Sequence, residues 1–537
     1  MSAPLDFTVE EPKDSLFGDY STNVALVLAK IEKKNPKEVA ESIAQELRAQ
    51  QISGVEKIEV AGAGFVNFFL SSLAVNTALG YIKMGENLPH TLSGKRYIIE
   101  HTQPNPFKEL HIGHLMNNAI GESISRLIKT LGATVKTASY HGDKGIHIAK
   151  AVWALKNGVD IEKAYAYGNT AYEEDAVVQQ EIVEINKKIY DESDLDINTL
   201  YRSGIESFEH DFKKNMERLG SQFDYMFFES KSGEIGKEIV LSHTPGLFEK
   251  SEGATVFHGE NFIPKTHTRV FLNHDGLPTY EAKEVGLAKI KKEIFDYDES
   301  ITITGNEQDS FFTVVEVAIG EIFQELKGKL HHLSHGMLRL PEGKMSSRTG
   351  NIITALGLIE LAKEKIKEKM SDREFSAEKI EEISDIIAIG AIKYSILRQS
   401  IGGDIVFDMN TSLSFEGDSG PYLQYSAVRA SSIIKKAMTI GLTSSAKVPD
   451  GWQSRRVEKK LSHFYEVIER AGLLHAPQLI ATYLIELAGE FNAFYGAEKI
   501  VDTTDAHSPY KLFITEVFKE TITSGLWLLG IKTPEEM

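Results

Sequence analysis

Tyr97-Ile98-Ile99, a loop carrying Pro104 and Pro106, His111-Ile112-Gly113-His114 and a helical pattern from about Leu115 to Leu131 form the stretch that decides the fold. Three consecutive apolar residues read as a short buried strand, and the prolines after it forbid its continuation. The residues beyond His114 repeat at helical spacing, so the unit is strand, loop, helix. A second strand from Val135 to Tyr140 ends in Gly142-Asp143-Lys144-Gly145, which makes the region an α/β domain with glycine-bearing loops after its strands. Ligands of such sheets bind at those loops.

Before this stretch, Val24 to Ile31 and Val39 to Leu47 carry apolar residues at helical spacing, with Asn35-Pro36 as the break between two helices. Val55 to Val60 alternates at period two and Gly64 to Leu70 reads as a second strand, giving a small α+β unit over 1–88. After it, residues 156–220 are rich in Glu, Lys, Tyr and Asp at helical spacing and predict a helical insertion. Strand patterns return at Thr268 to Leu272 and Ile301 to Thr304, closing an α/β domain over 89–355. From 356 to 537 nearly everything reads helical: Glu360 to Met370, Ile380 to Leu397, Tyr422 to Ala437, Val457 to Ala471 and Ile480 to Tyr495. The charge run Lys363 to Lys369 is a solvated helix face.

A chain of 537 residues is long enough for about three to four domains, and 25% charged with 42% hydrophobic residues marks it as globular. No run approaches the roughly 18 apolar residues that cross a membrane, and Met1 to Glu10 has no basic-then-apolar leader, so no membrane partner and a cytoplasmic location are expected. The absence of cysteine removes disulfides, thiolate nucleophiles and Cys-ligated zinc. A net charge of −18 argues against non-specific binding to DNA, although a local basic groove can survive within it.

Two motifs carry the chemistry. His111-Ile112-Gly113-His114 lies between strand and helix, where a helix N-terminus favours negative charge and the imidazoles can donate to oxygens whose charge grows during displacement at phosphorus. Gly113 lets a flat base or a phosphate approach the backbone. The second motif, Lys344-Met345-Ser346-Ser347-Arg348-Thr349-Gly350-Asn351, joins cations and hydroxyls in a polar loop able to fold over a triphosphate. Each alone reads equally as a surface feature. Together, in this order around one α/β region, they point to ATP chemistry.

The pair resembles the signature motifs of class I aminoacyl-tRNA synthetases, and the flanking residues resemble the arginyl-tRNA synthetase family. Gly18-Asp19-Tyr20-Ser21-Thr22-Asn23-Val24-Ala25 and Gly64-Phe65-Val66-Asn67-Phe68 are similar to that family's N-terminal domain. Phe415 to Tyr425 with Arg429, and Gly525 to Met537, are similar to its helical anticodon-binding domain. The resemblance implies a Rossmann-like parallel-sheet catalytic domain with a helical insertion, a small N-terminal α+β domain touching the tRNA corner, and an all-helical C-terminal domain reading the anticodon. It implies an enzyme that joins L-arginine to tRNA(Arg) through arginyl-adenylate, using ATP and Mg2+, with tRNA needed for the first step; a monomer is expected.

Carried over residue by residue, the resemblance places Glu100 and Glu284 at the substrate guanidinium, Asn105 at its amino group, and Tyr280 and Gln308 on the bound amino acid. A planar cation with five donors is best recognised by carboxylates in a partly dry pocket. At the second acidic place the family usually has aspartate; Glu284 keeps the charge and reaches farther by one methylene. ATP would lie on His111, Gly113, His114, Lys344, Met345, Ser346 and Ser347, with His111, His114, Lys344 and Arg348 catalytic. Two departures stand out. The family's Gly-Asp-Trp-Gly-Thr-Gln loop is here Gly142-Asp143-Lys144-Gly145-Ile146-His147, leaving Asp143 as the matching side chain. Ser347 stands where the class I signature has lysine, and Lys108, three residues before His111, fits the place of the substitute found in such arginyl enzymes.

Plainer readings stand beside these. Glu100 reads also as a salt-bridged strand end, His331, His332 and His335 as surface or hydrogen-bonding residues rather than metal ligands, and Tyr422, Tyr425, Phe491, Phe494 and Tyr495 as core rather than base-stacking platforms. No protein-held metal is expected. The rival functions are a synthetase for another amino acid, a nucleotidylyltransferase with the same His-x-Gly-His loop, and a catalytically silent tRNA-binding protein of the same fold.

Overall fold

Asn35 and Pro36 divide the first two helices as their chemistry requires: the Asn35 side chain accepts the Lys37 N–H, and proline takes the first helical position, where a missing N–H costs nothing. The computed structural model describes residues 5–12, 14–339 and 354–537, apart from the side chain of Ser15. Strands β1 (Val9–Glu10) and β2 (Tyr20–Thr22) lead into helices α1 (Val24–Glu32) and α2 (Pro36–Ala49), strands β3 (Val55–Ala61) and β4 (Phe65–Leu70), and helix α3 (Ser72–Met84). The strands pair antiparallel in the order β1-β2-β4-β3. Ala25, Ala29, Ala40, Ala44, Ile58 and Val66 close the core between helices and sheet.

The next run is β5 (Arg96–Glu100), α4 (Ile112–Thr130), β6 (Thr134–His141), α5 (Ile146–Lys156), α6 (Ile161–Glu174), α7 (Ala176–Asp191), α8 (Leu195–Leu219), β7 (Tyr225–Phe228) and α9 (Glu229–Ser242). It continues through β8 (Glu249–Ser251), β9 (Ala254–His258), β10 (Thr268–Leu272), α10 (Tyr280–Ile294), β11 (Glu299–Gly305), α11 (Asp309–Ile322) and β12 (Leu330–His335). Five strands make one parallel sheet in the order β12-β11-β5-β6-β7. From β5 the chain moves first to β6 and β7 on one side and later to β11 and β12 on the other. The crevice between the carboxyl ends of β5 and β11 is therefore a topological switch point, where such sheets bind ligands.

Helices α6 to α8 fill the insertion expected over 156–220. Strand β10, expected to rejoin the α/β sheet, instead belongs to a separate antiparallel sheet ordered β10-β9-β8. Two strands of the parallel sheet escape the sequence reading: β7 spans four residues, and β12 is Leu-His-His-Leu-Ser-His, with little apolar signal.

The remaining helices are α12 (Ala355–Lys369), α13 (Ala377–Leu397), the single turn α14 (Met409–Ser412), α15 (Gly420–Thr439), α16 (Arg456–Ser462), α17 (Phe464–Leu473), α18 (Gln478–Ala497) and α19 (Ser508–Leu528). The helix expected from Val457 to Ala471 is broken at His463. By internal packing the chain forms two units: one comprises Met1–Leu88, Ser426–Glu466 and Leu484–Ser524, the other Pro89–Tyr425, Val467–Tyr483 and Gly525–Met537. Among the described residues no helix is long and apolar enough to cross a membrane.

Candidate active site

The chain leaves β5 through Thr102, Gln103 and Phe107, three non-glycine residues with left-handed backbone (φ 78°, 54° and 63°), a conformation that costs of order 1 kcal/mol or more at each. Hydrogen bonds hold this sharp path. The Gln103 N–H donates to Ser139 Oγ (3.2 Å) and its amide to Glu100 Oε1 (2.6 Å). Asn105 Oδ1 accepts the Gly142 N–H (2.9 Å), and His141 Nδ1–H donates to the Pro104 carbonyl (2.6 Å). The loop after β5 is thus tied to β6 and to the loop beyond β6.

His111 is the N-cap of α4, and its backbone N–H donates to His114 Nδ1 at 3.1 Å. That bond leaves the proton of a neutral His114 on Nε2. The two rings stack with centroids 3.6 Å apart. Gly113 makes the stacking possible, since a β-carbon there would lie 2.9 Å from His111 Cε1; its small size serves the neighbouring imidazole first. Burial pushes the pKa of both imidazoles down, helped by the Lys108 charge at His111 and by the His111 charge at His114. Both are therefore neutral N–H donors near pH 7, in keeping with a helix N-terminus that disfavours added positive charge.

These groups open on a cleft of about 530 Å³ lined from β5, the loop after it, α4, α10 and the end of β11. Glu100, Asn105, His111, His114, Tyr280, Glu284 and Gln308 all line it. Tyr280 is exposed at the start of α10, with Lys283 Nζ 4.7 Å from its ring centre. Lys108 is not in this cleft: it lines an adjoining cavity of about 380 Å³, its ammonium 4.9 Å from the Tyr165 ring centre, yet its charge still reaches both imidazoles. Lys344, Met345, Ser346, Ser347 and Arg348 lie outside the described residues.

Glu100 is at once in the cleft and salt-bridged, with Lys291 Nζ 2.6 Å from Oε2. The approach lacks hydrogen-bond alignment, so Oε2 has an ionic partner and no hydrogen bond. Glu284 reaches the cleft's open space but is packed round by protein; burial, then the Glu100 charge, push its pKa up to about 8 against the pull of Lys291. Asp143 is buried and accepts from Ser230 N (2.8 Å), Ser230 Oγ (2.5 Å) and Tyr201 OH (3.0 Å), so it pins α9 and α8 to the loop after β6.

Several cleft residues carry no motif and were invisible in the sequence. Tyr140, Glu229, Arg269 and Glu281 line the walls, and Asn117, on the α4 face next to His114, is held by His335 Nε2. The other ring nitrogen of His335 meets the Gly336 carbonyl (2.6 Å), while His332 contacts Thr304 Oγ1 (2.7 Å) and stacks on Phe312. Among the described residues no group of three or more His, Asp or Glu is placed to hold a metal ion.

Three family models match the chain: "tRNA synthetases class I (R), catalytic domain" over residues 81–409, "Arginyl tRNA synthetase N terminal domain" over 2–70, and "DALR anticodon binding domain" over 423–537. Among curated relatives, the arginine–tRNA ligase of Treponema denticola is 30% identical, covering 99% of this chain and 95% of that protein. That of Thermococcus sibiricus is 29% identical, with 98% and 95% covered. The solved arginyl-tRNA synthetase of Thermus thermophilus superposes with a TM-score of 0.81 over 100% of this chain and 97% of that one; at 24% identity this is a likeness of fold.

Proposed function

Because this chain belongs to the class I arginyl-tRNA synthetase family, we propose that its cleft activates L-arginine with ATP and that the chain then ligates the arginyl group to tRNA(Arg). The observation that carries this reading is the cleft itself, where two neutral imidazoles at a helix N-terminus meet a wall of carboxylates, the buried Glu100 and Glu281 among them.

In the first step a carboxylate oxygen of arginine attacks the α-phosphorus of ATP, the bond to the bridging oxygen breaks, and pyrophosphate leaves. His114 Nε2–H and His111 donate to phosphate oxygens as their charge grows, without having to lose a proton. Mg2+ arrives with the triphosphate, which together with water supplies most of its ligands. Asn105 Oδ1, with one lone pair on the Gly142 N–H, keeps the other for the substrate ammonium. Tyr280 and Gln308 stand at the cleft's mouth to cover the amino acid. Lys108 and the loop from Lys344 to Arg348 bring positive charge to the leaving pyrophosphate, Lys108 doing so in place of the lysine absent at Ser347. In the second step the terminal ribose hydroxyl of tRNA takes the arginyl group. Little covalent work falls to the protein, and most of the rate comes from positioning and fixed charge.

The N-terminal unit then contacts the tRNA corner and the helical C-terminal residues read the anticodon, in a monomeric cytoplasmic enzyme. The test is charging of total tRNA with each proteinogenic amino acid in turn, with purified protein, ATP and Mg2+. Charging with arginine alone is the expected result. Charging with another amino acid overturns the pocket assignment, and tRNA binding without any charging favours a silent tRNA-binding protein.

A further inference from the structure

The carboxylates of the cleft are not equivalent. Glu229 has Lys283 Nζ at 2.5 Å, Glu281 has Arg269 Nη1 at 3.3 Å, and Glu100 has Lys291 Nζ at 2.6 Å. Glu307 lies exposed at the rim and is solvated. Glu284, half-buried, is alone among the described cleft carboxylates shielded from solvent in having neither an ion pair nor a hydrogen bond to a described residue. The Lys291–Glu100 pair is dry, with side chains 5% and 1% exposed.

Helix geometry explains the division. Glu284, Ala288 and Lys291 lie four and seven positions apart on one face of α10 and line a second, much smaller cavity of about 30 Å³, room for about one water. Glu284 and Phe312 form the shared wall of the two spaces, whereas Lys291 faces only the inner one and approaches Glu100 from behind. Lys291 therefore cannot touch a molecule in the cleft. It can decide which carboxylate such a molecule finds unpartnered.

Resting on the assignment of arginine to this cleft, we propose that Lys291 is a positioning residue of the pocket: by pairing with Glu100 it leaves Glu284 as the partner of the substrate guanidinium, and arginine binding expels a proton from Glu284. A half-buried, unpaired carboxylate facing other carboxylates holds its proton until a cation arrives. Facing Glu284 are Glu100 from β5, Tyr140 from β6, Glu229 from α9, and Glu281 and Lys291 from its own helix. Across the small cavity stand Glu316 of α11 and His331 of β12. The surroundings are mainly acidic, and in the empty pocket the Glu284 proton is held to about pH 8. The guanidinium replaces that proton one charge for one, the proton passing to solvent through the cleft, and no net charge is added to the interior.

The experiment is calorimetry of arginine binding to the full chain in buffers of different ionisation enthalpy, between pH 7 and pH 9. The wild-type protein is expected to release close to one proton at pH 7 and little at pH 9. Glu284→Gln should bind arginine at least tenfold more weakly and release none. In Lys291→Met the release should persist to higher pH, because Glu284 has lost a nearby cation, and Lys291→Arg should restore the wild-type profile. A purely structural lysine would lower stability without moving the proton count. Arginine binding whose heat is independent of buffer at pH 7 overturns the proposal while leaving the arginine assignment intact, and the wild-type measurement alone decides this even if Lys291→Met fails to fold. A Lys291→Met profile identical to wild type removes the lysine from the pocket's design, tighter arginine binding in that variant shows instead that the guanidinium competes with Lys291 for Glu100, and failure to bind arginine at all overturns both readings.

Discussion

The Phe107 ring occupies the space that a side chain on Gly204 would need: a β-carbon there would lie 2.0 Å from Cζ and 2.1 Å from Cε1. Phe107 is one of the left-handed residues of the loop after β5, and Lys108 comes directly after it. The notch in α8 thus fixes a strained backbone next to a cation of the proposed chemistry. Gly204→Ala would gain some helix propensity but overpack this contact, at a cost of about 1–3 kcal/mol. The expected outcome is a modest fall in melting temperature with arginine activation slowed about tenfold or more, since the strained loop is the easiest part to shift. Adding Phe107→Leu should recover part of the rate. Unchanged pyrophosphate exchange in Gly204→Ala would show that the notch does not govern the loop.

Lys108→Ala should slow adenylate formation by orders of magnitude while leaving tRNA affinity nearly unchanged. The ammonium stands outside the arginine cleft, beside Tyr165, with its charge felt at His111 and His114. Its loss therefore removes positive charge near the imidazoles without opening the arginine pocket, and the arginine KM should change little. Pre-steady-state measurement of adenylate formation separates the effects; near-normal turnover rejects Lys108 as the substitute cation.

The two parts of the active site differed in how far they could be read from the sequence. Tyr97-Ile98-Ile99 is buried on both faces and reads as an apolar run, and Val135 to Tyr140, half-buried apart from Ala138 and Ser139, ends in a glycine-bearing loop, so the centre of the parallel sheet was visible. The edge strands were not: β7 is too short, and β12 places His332 and His335 where a core strand would show valine or isoleucine. His111, Gly113 and His114 stood out because local spacing puts them on one helical turn. Lys291, Glu229 and Arg269 did not, because their partners are brought to them by sheet order rather than by nearby sequence. Glu100 illustrates the overlap, since the salt-bridged strand end and the pocket carboxylate are one and the same residue.

His101 and His141 give the fold an acid limit. Both rings are fully buried, and burial lowers each pKa from 6.5 to about 4. Because the folded value lies below the unfolded one, the unfolded chain binds protons first. The stability these residues contribute is complete above about pH 6.5 and is lost progressively as pH falls to about 4. At pH 5 the loss is about 2 kcal/mol for each. Urea denaturation measured between pH 7 and pH 5 should show this slope, and replacing His101 by Asn should flatten it. A midpoint constant over that range would mean that neither ring is neutral in the fold for the reason given.

Asp19 holds the N-terminal strands to a helix of the same unit. Its side chain is 3% exposed, Oδ2 accepts the Leu70 N–H at 2.7 Å, and Oδ1 lies 2.9 Å from Lys459 Nζ. The neighbouring Gly18 has φ 95°, and a β-carbon there would come within 2.5 Å of the Phe68 carbonyl, so the chain passes too close to β4 for any other residue. Asp19→Ala strips both the ion pair and a backbone acceptor. Lys459 is partly exposed and can return to water, so the expected cost is about 2–3 kcal/mol rather than the larger penalty of a stranded buried charge. Asp19→Asn keeps an oxygen for Leu70 and should lose about half as much. Lys459→Met should cost at least as much as Asp19→Ala, because it leaves the buried Asp19 carboxylate with a backbone hydrogen bond but no cation. Equal destabilisation by the Ala and Asn variants would assign the whole effect to the ion pair, and a double-mutant cycle with Lys459→Met then measures it directly.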